Sequence, residues 1–144
     1  MYYFDTSFLA PLIMEEASSA KVEAYLRKLP VGKLWVSQLV RVEFSSLLAR
    51  EVRMGNISPN NALAADDEFE AMITESYRVI APGVADYELA KSFIRQYSTG
   101  LRAGDALHLA IAKNHGADLL LTLDKGLLKA GKLMDIPVSH GIKI

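Results

Sequence analysis

Short apolar runs alternate with amphipathic stretches along the chain. Met1 to Phe4 (MYYF) is an unbroken apolar run of strand length that ends at Asp5. A helix is expected from Ser7 to about Glu15. With Ser18 or Ser19 as cap, Val22, Tyr25, Leu26 and Leu29 recur at helical spacing, and Pro30 and Gly32 end that helix. Leu34 to Val36 predicts a second strand. Ser37 is a good N-cap for a long helix through Arg53, stopped by Gly55 and Asn56. Ser58 followed by Pro59 opens another helix, to about Glu75. Tyr77 to Ile80 reads as a third strand, Val84 to Tyr97 as a helix and Ser98 to Ala103 as a loop. Gly104 to His115 is helical and Leu119 to Leu123 a very apolar strand. Lys125 to Ala130 is a short helix, and Pro137 to Val138 a last strand.

Strands that alternate with helices predict an α/β fold, a parallel sheet with both faces covered. No repeat, low-complexity segment or linker interrupts the pattern, and 144 residues suit one domain over 1–144. With 51% hydrophobic and 23% charged residues the balance is that of a globular chain. The lack of cysteine excludes thiolate metal sites, disulfides and cysteine nucleophiles, and fits a cytoplasmic location. Asp5, Glu15 and Glu16 interrupt the N-terminal region, so neither a signal peptide nor a membrane span is expected. A net charge of −1 argues against holding nucleic acid by bulk electrostatics, while leaving room for a local site.

The candidate chemistry lies in the carboxylates. Ligands of open parallel sheets bind at the carboxyl ends of the strands. Asp5 ends the first strand, Asp124 follows the Leu119 to Leu123 strand, Asp105 opens the GDALHLAIA helix, and Glu43 lies early in the Ser37 to Arg53 helix. Taken singly, each aspartate is also explained as a helix cap. Glu43 resists such an account, because Leu39, Val40, Ser46 and Leu47 surround it at helical spacing and none is cationic. A basic side chain from another element, or a metal ion, has to compensate it. If the four acids converge, each like-charge pair at about 4 Å repels by roughly 4 kcal/mol at an effective dielectric near 20. A hard divalent cation would remove that penalty, and an all-oxygen site suits magnesium or manganese rather than zinc. Such a site is suited to phosphodiester hydrolysis. Thr6 and Thr122 stand near these aspartates, as hydroxyls that orient ligands or simply as turn and capping groups. His108, His115 and His140 form no pair at metal spacing, and His108 reads as a packed or partly exposed helix residue.

Four segments, FDTSFLAP, SQLVRVEFSSLLAR, LRAGDALHLAIA and LLLTLDKGLLKA, surround these acids in order across nearly the whole chain. Together they resemble the PIN-domain ribonucleases, most closely the VapC-like toxins of toxin–antitoxin pairs. The resemblance implies a PIN-like three-layer α/β/α domain with a short-stranded central parallel sheet. It also implies an endoribonuclease dependent on Mg2+ or Mn2+, a cognate antitoxin that blocks the site, and a homodimer. Carried over by position, Asp5, Glu43, Asp105 and Asp124 become metal ligands, with no departure at the acidic positions. Arg102 is placed to meet a substrate phosphate or simply to solvate its loop. Lys21, Arg27, Lys28 and Lys33 read as scattered surface charge with no assigned role.

Rival readings are weaker. An acyl-phosphate enzyme of the haloacid dehalogenase-like kind needs an acid two residues after Asp5, where Ser7 stands, and a receiver domain needs an early acidic pair. A binding module of the same fold without catalysis, or an RNA-processing nuclease without an antitoxin, are the remaining alternatives.

Overall fold

Five parallel strands form one sheet in the order β3-β2-β1-β4-β5. They are β1 (Tyr2–Phe4), β2 (Leu34–Ser37), β3 (Arg78–Ile80), β4 (Leu119–Leu121) and β5 (Val138–Ser139). The computed structural model describes residues 1–143. In register, Tyr3 sits beside Trp35 on one side and Leu120 on the other. The helices are α1 (Thr6–Leu9), α2 (Ser19–Arg27), α3 (Leu39–Arg53), α4 (Pro59–Ser76), α5 (Val84–Ile94), α6 (Ala103–Asn114) and α7 (Lys125–Leu133).

The strand alternation divides the interior in two, because successive side chains leave a strand on opposite faces. Tyr3 and Leu120 join Phe93, Leu109, Ile111 and Leu127 beneath α5, α6 and α7. Phe4, Val36 and Leu121 join Phe8, Val22, Phe44 and Phe69 beneath α1 to α4. The two clusters make the expected three layers. Phe44 and Phe69 stack at 4.1 Å between ring centres, which locks α3 against α4.

Several boundaries shift for identifiable reasons. The first helix was expected to reach Glu15, but the α-helix covers only Thr6–Leu9 and a 3-10 turn follows at Ala10–Leu12. Pro11 lacks the amide that would continue the ladder, and the chain tightens there. Ser37 closes β2, and its Oγ accepts from the Leu39 amide at 3.2 Å while Gln38 occupies the N-cap position. The segment read as a loop from Ser98 contains a 3-10 turn, Tyr97–Thr99. The helix expected to stop at Ala130 continues to Leu133. Gly131 permits this, because a Cβ on it would stand 2.5 Å from Val138 Cγ1 on β5. Gly131→Ala is therefore expected to destabilise the fold by about 1–3 kcal/mol through overpacking, read as a lower urea midpoint at unchanged slope.

This topology also fixes where a site belongs. From β1 the chain builds outward to β2 and β3 on one side, and β4 and β5 fill the other. The order therefore reverses between β1 and β4, and the crevice beyond their carboxyl ends is the natural ligand site. Among the described residues no helix is long and apolar enough to cross a membrane.

Candidate active site

Asp5 leaves the end of β1 and is 3% exposed. Its Oδ1 accepts from Ser7 Oγ at 2.8 Å and from the Phe8 amide at 3.1 Å, so it does cap α1. Its Oδ2 accepts from Thr122 Oγ1 at 2.5 Å. Thr122, just past β4, also accepts from the Asp124 amide at 3.0 Å. One hydroxyl thus joins the ends of the two strands that flank the crevice. Burial pushes the Asp5 carboxyl up, and the His108 charge and the hydroxyl and amide donors only partly oppose it.

Asp124 is the N-cap of α7, and its Oδ1 accepts from the amides of Gly126 at 2.8 Å and Leu127 at 3.0 Å. Asp105 lies in the first turn of α6 without serving as its cap, since Arg102 holds that position. The Asp105 carboxyl is pushed up to about 6, first by burial and then by the charges of Asp124 and Asp5, with Glu43 adding to them. Three other chain segments therefore bring Asp5, Glu43 and Asp124 within Coulombic reach of Asp105. Among the described residues no three Asp, Glu or His side chains enclose a cation as they stand. Their mutual repulsion favours such spreading, and protein donors occupy Asp5, Glu43 and Asp124.

Glu43 answers the question its sequence raised. Its Oε1 accepts from Thr6 Oγ1 at 2.7 Å and lies 2.5 Å from His108 Nε2. The basic side chain from another element is His108, which is 1% exposed in α6. On its far side His108 Nδ1 lies 2.7 Å from the Tyr3 hydroxyl, which donates to Ser37 Oγ at 3.0 Å. A tyrosine hydroxyl has one proton, so the Tyr3 oxygen accepts from Nδ1 while Nε2 donates to Glu43. Both ring nitrogens donate, which is the hydrogen inventory of an imidazolium. Burial lowers the His108 value, but the bond to Glu43 and the charges of Glu43, Asp5 and Asp105 carry it above the ordinary range. Burial likewise raises Glu43, and the His108 bond and charge with Thr6 more than offset that, holding it below the ordinary range. The other oxygen, Oε2, faces α6, where it would stand 2.8 Å from a Cβ placed on Gly104. Only glycine beside Asp105 lets the Glu43 carboxylate come so close.

Of the residues singled out in the sequence, the acids and both threonines gather in one region. Arg102 is exposed at the mouth of α6, with no side-chain bond to it among the described residues. Ser7 and His108 were not assigned to the site. Ser7 Oγ also accepts from the Leu123 amide at 2.9 Å, which closes the crevice between β1 and β4. His108 stands three residues after Asp105, a spacing that puts both on one helical face, and that was the available signal.

Comparison with known proteins agrees with this architecture. The PIN domain family profile matches residues 2–133. Among solved structures the fold is similar to that of Mycobacterium tuberculosis VapC20, a sarcin-ricin loop cleaving toxin. That match has a TM-score of 0.72 and 22% identity, and covers 91% of this chain and 95% of that one. FitAcB from Neisseria gonorrhoeae gives a TM-score of 0.70 at 17% identity, with 98% of each chain covered. VapBC-1 from nontypeable Haemophilus influenzae gives 0.67 at 14% identity, with 96% of each chain covered. No curated protein matches the sequence. With that profile spanning every element from β1 to α7, and with its acids at the switch point of a parallel sheet, the chain belongs to the PIN-domain family.

Proposed function

We propose that this protein is a divalent-metal-dependent endoribonuclease and the toxin of a toxin–antitoxin pair, held inactive by its cognate antitoxin. The observation that carries the reading is that Asp105, opening α6 beside the β1–β4 crevice, is raised to about 6 by burial and by the charges of Asp124, Asp5 and Glu43. Excess negative charge on oxygen donors alone, with no thiolate in the chain, fits a hard cation such as Mg2+ or Mn2+. The similarity to a VapC toxin and to a VapBC complex supports the toxin reading and an antitoxin partner. A homodimer and a cytoplasmic location belong to the same reading.

Asp5 and Asp105 would be the main ligands, with Glu43 and Asp124 completing the set. When bound, a divalent cation supplies an activated water and neutralises charge on the leaving oxygen. The chain's own work is orientation. Ser7 and Thr122 fix the two oxygens of Asp5, and Thr6 and His108 fix Oε1 of Glu43. These bonds hold each carboxylate in one direction before any ligand arrives. Asp105 has to release its proton to bind a cation, which becomes progressively easier above a pH of about 6.

Single-stranded RNA incubated with the protein and Mg2+ or Mn2+ should be cut to discrete products, and EDTA or Asp5→Asn should each stop it. Cutting that survives both treatments would sink the metal-dependent reading. Expression in a host should arrest growth, relieved by Asp105→Asn. Cleavage without growth arrest would favour an RNA-processing role, and RNA binding without cleavage a silent module.

A further inference from the structure

Two grooves flank the C-terminal segment Ser139–Lys143, and among the described residues neither has a carboxylate side chain in its walls. One, of about 510 Å³, includes Lys132 and His140, and the other, of about 300 Å³, includes Lys21 and Lys28. Tyr25 and Lys143 belong to both, so the two are continuous. Gly141 makes this surface possible: it turns with φ 69°, and a Cβ on it would stand 3.0 Å from the Tyr25 ring and from Leu121. The Lys21 ammonium donates to the Lys143 carbonyl at 3.0 Å, which ties α2 to the segment.

The charge here is unbalanced. Acids outnumber Lys and Arg by 17 to 16 over the chain, yet four lysines share this groove. Among the described residues none of the four takes part in a salt bridge, whereas Arg27 pairs with Glu23 and Arg41 with Glu70. A chain of hydrogen bonds links the groove to the carboxylate site. His140 Nδ1 lies 2.9 Å from the carbonyl of Thr122, whose hydroxyl donates to Asp5. A row of cations with no carboxylate partner among the described residues, beside a phosphodiester-cutting site, is matched by the repeating charge of a nucleic-acid backbone, not by one small anion.

We propose that this groove carries the phosphate backbone of single-stranded RNA beside the scissile bond, a proposal that rests on the nuclease reading. Lys21, Lys28, Lys132 and Lys143 contact successive phosphates, and the Tyr25 ring lines their path. Of the lysines and arginine that sequence left scattered, two are regrouped here. Arg27 is engaged by Glu23, and Lys33 stands just before β2 at the amino ends of the strands, where its carbonyl accepts from the Tyr2 amide.

The test uses the full chain carrying Asp105→Asn, so that RNA is bound without being cut, and anisotropy of a labelled 20-nucleotide RNA at several salt concentrations. Adding Lys21→Ala, Lys28→Ala and Lys132→Ala should lower affinity at low salt at least 10-fold. The slope of log affinity against log salt should become shallower by about 2, from roughly 0.7 per phosphate contact on a single strand. Lys33→Ala should leave both unchanged, and circular dichroism checks that the exposed substitutions keep the fold. An unchanged slope in the triple variant overturns the proposal. So does an unchanged slope together with lost binding of a poly-glutamate peptide, which would make the groove a protein-docking site. Because binding is read without cleavage, a shallower slope in a protein that cuts no RNA would uphold the groove and reject the nuclease reading.

Discussion

Asp105→Asn should abolish RNA cleavage and, in the same protein, raise the stability of the metal-free fold at pH 7. The two effects have opposite signs and one cause. Folding moves the Asp105 carboxyl from an ordinary 3.8 to about 6, by burial and by the charges of Asp124 and Asp5. A raised acid favours its neutral form, so the penalty is absent below pH 4, grows as pH rises through the interval from 4 to 6, and is complete above it. A shift of that size corresponds to about 3 kcal/mol for a fully insulated group. Asp105 is partly exposed, so solvent screening reduces the expected gain to about 1–2 kcal/mol. Near pH 7 in EDTA the variant should melt roughly 3–8 °C higher than the parent, and the difference should vanish near pH 4.

Adding Mg2+ or Mn2+ should raise the melting temperature of the parent and leave the variant nearly unmoved, because the cation relieves the same repulsion that the amide removes. Cleavage measured as kcat/KM should fall on the order of 10²–10³-fold, the scale of losing one charge-stabilising group. A residue that merely capped a helix would behave otherwise: its amide variant would be neutral or less stable, and its metal response intact. Equal stabilisation of both proteins by the cation would remove Asp105 from the ligand set.

What was legible in the sequence follows from how local each signal is. Short, mostly apolar runs located the strands; Asp5 directly follows β1, and Asp124 comes three residues after β4, where the longer run to Leu123 stops. The tertiary facts needed a partner that no local pattern names. Periodicity placed His108 on the packed face of α6 but could not say that Glu43 and Tyr3 would meet its two nitrogens. The same gap left Glu43 with two possible compensators. Ser7, weighed only as the missing second acid of another enzyme class, bonds both Asp5 and the chain beyond β4. The lysines of α2 looked scattered because their companions, Lys132 and Lys143, lie more than a hundred residues away.

Replacing His108 tests the other half of the site, the part already compensated by protein. His108→Leu keeps an apolar volume and deletes both donors, leaving Oε1 of Glu43 with Thr6 alone and the Tyr3 oxygen without its ring partner. Removing one member of a buried pair costs about 3–5 kcal/mol when both are sealed from water. The Glu43 side chain is 31% exposed against 2% for His108, so a loss of about 2–4 kcal/mol is expected from urea unfolding near pH 5.5. Its pH dependence carries the diagnosis. His108 is raised above 6.5 in the fold, so its contribution is complete below 6.5 and is lost as pH rises through the folded value. Glu43 is lowered below 4.5, so its contribution is present above 4.5 and is lost as pH falls through the folded value. The cost of His108→Leu should therefore be greatest between about 4.5 and 6.5 and smaller on either side. Glu43→Gln combined with His108→Leu should cost less than the sum of the two, since each single variant already breaks the pair. A cost independent of pH and additive between the two variants would mean that His108 fills space only. Glu43 would then enter the crevice as an uncompensated carboxylate, leaving a cation as its sole balancing charge.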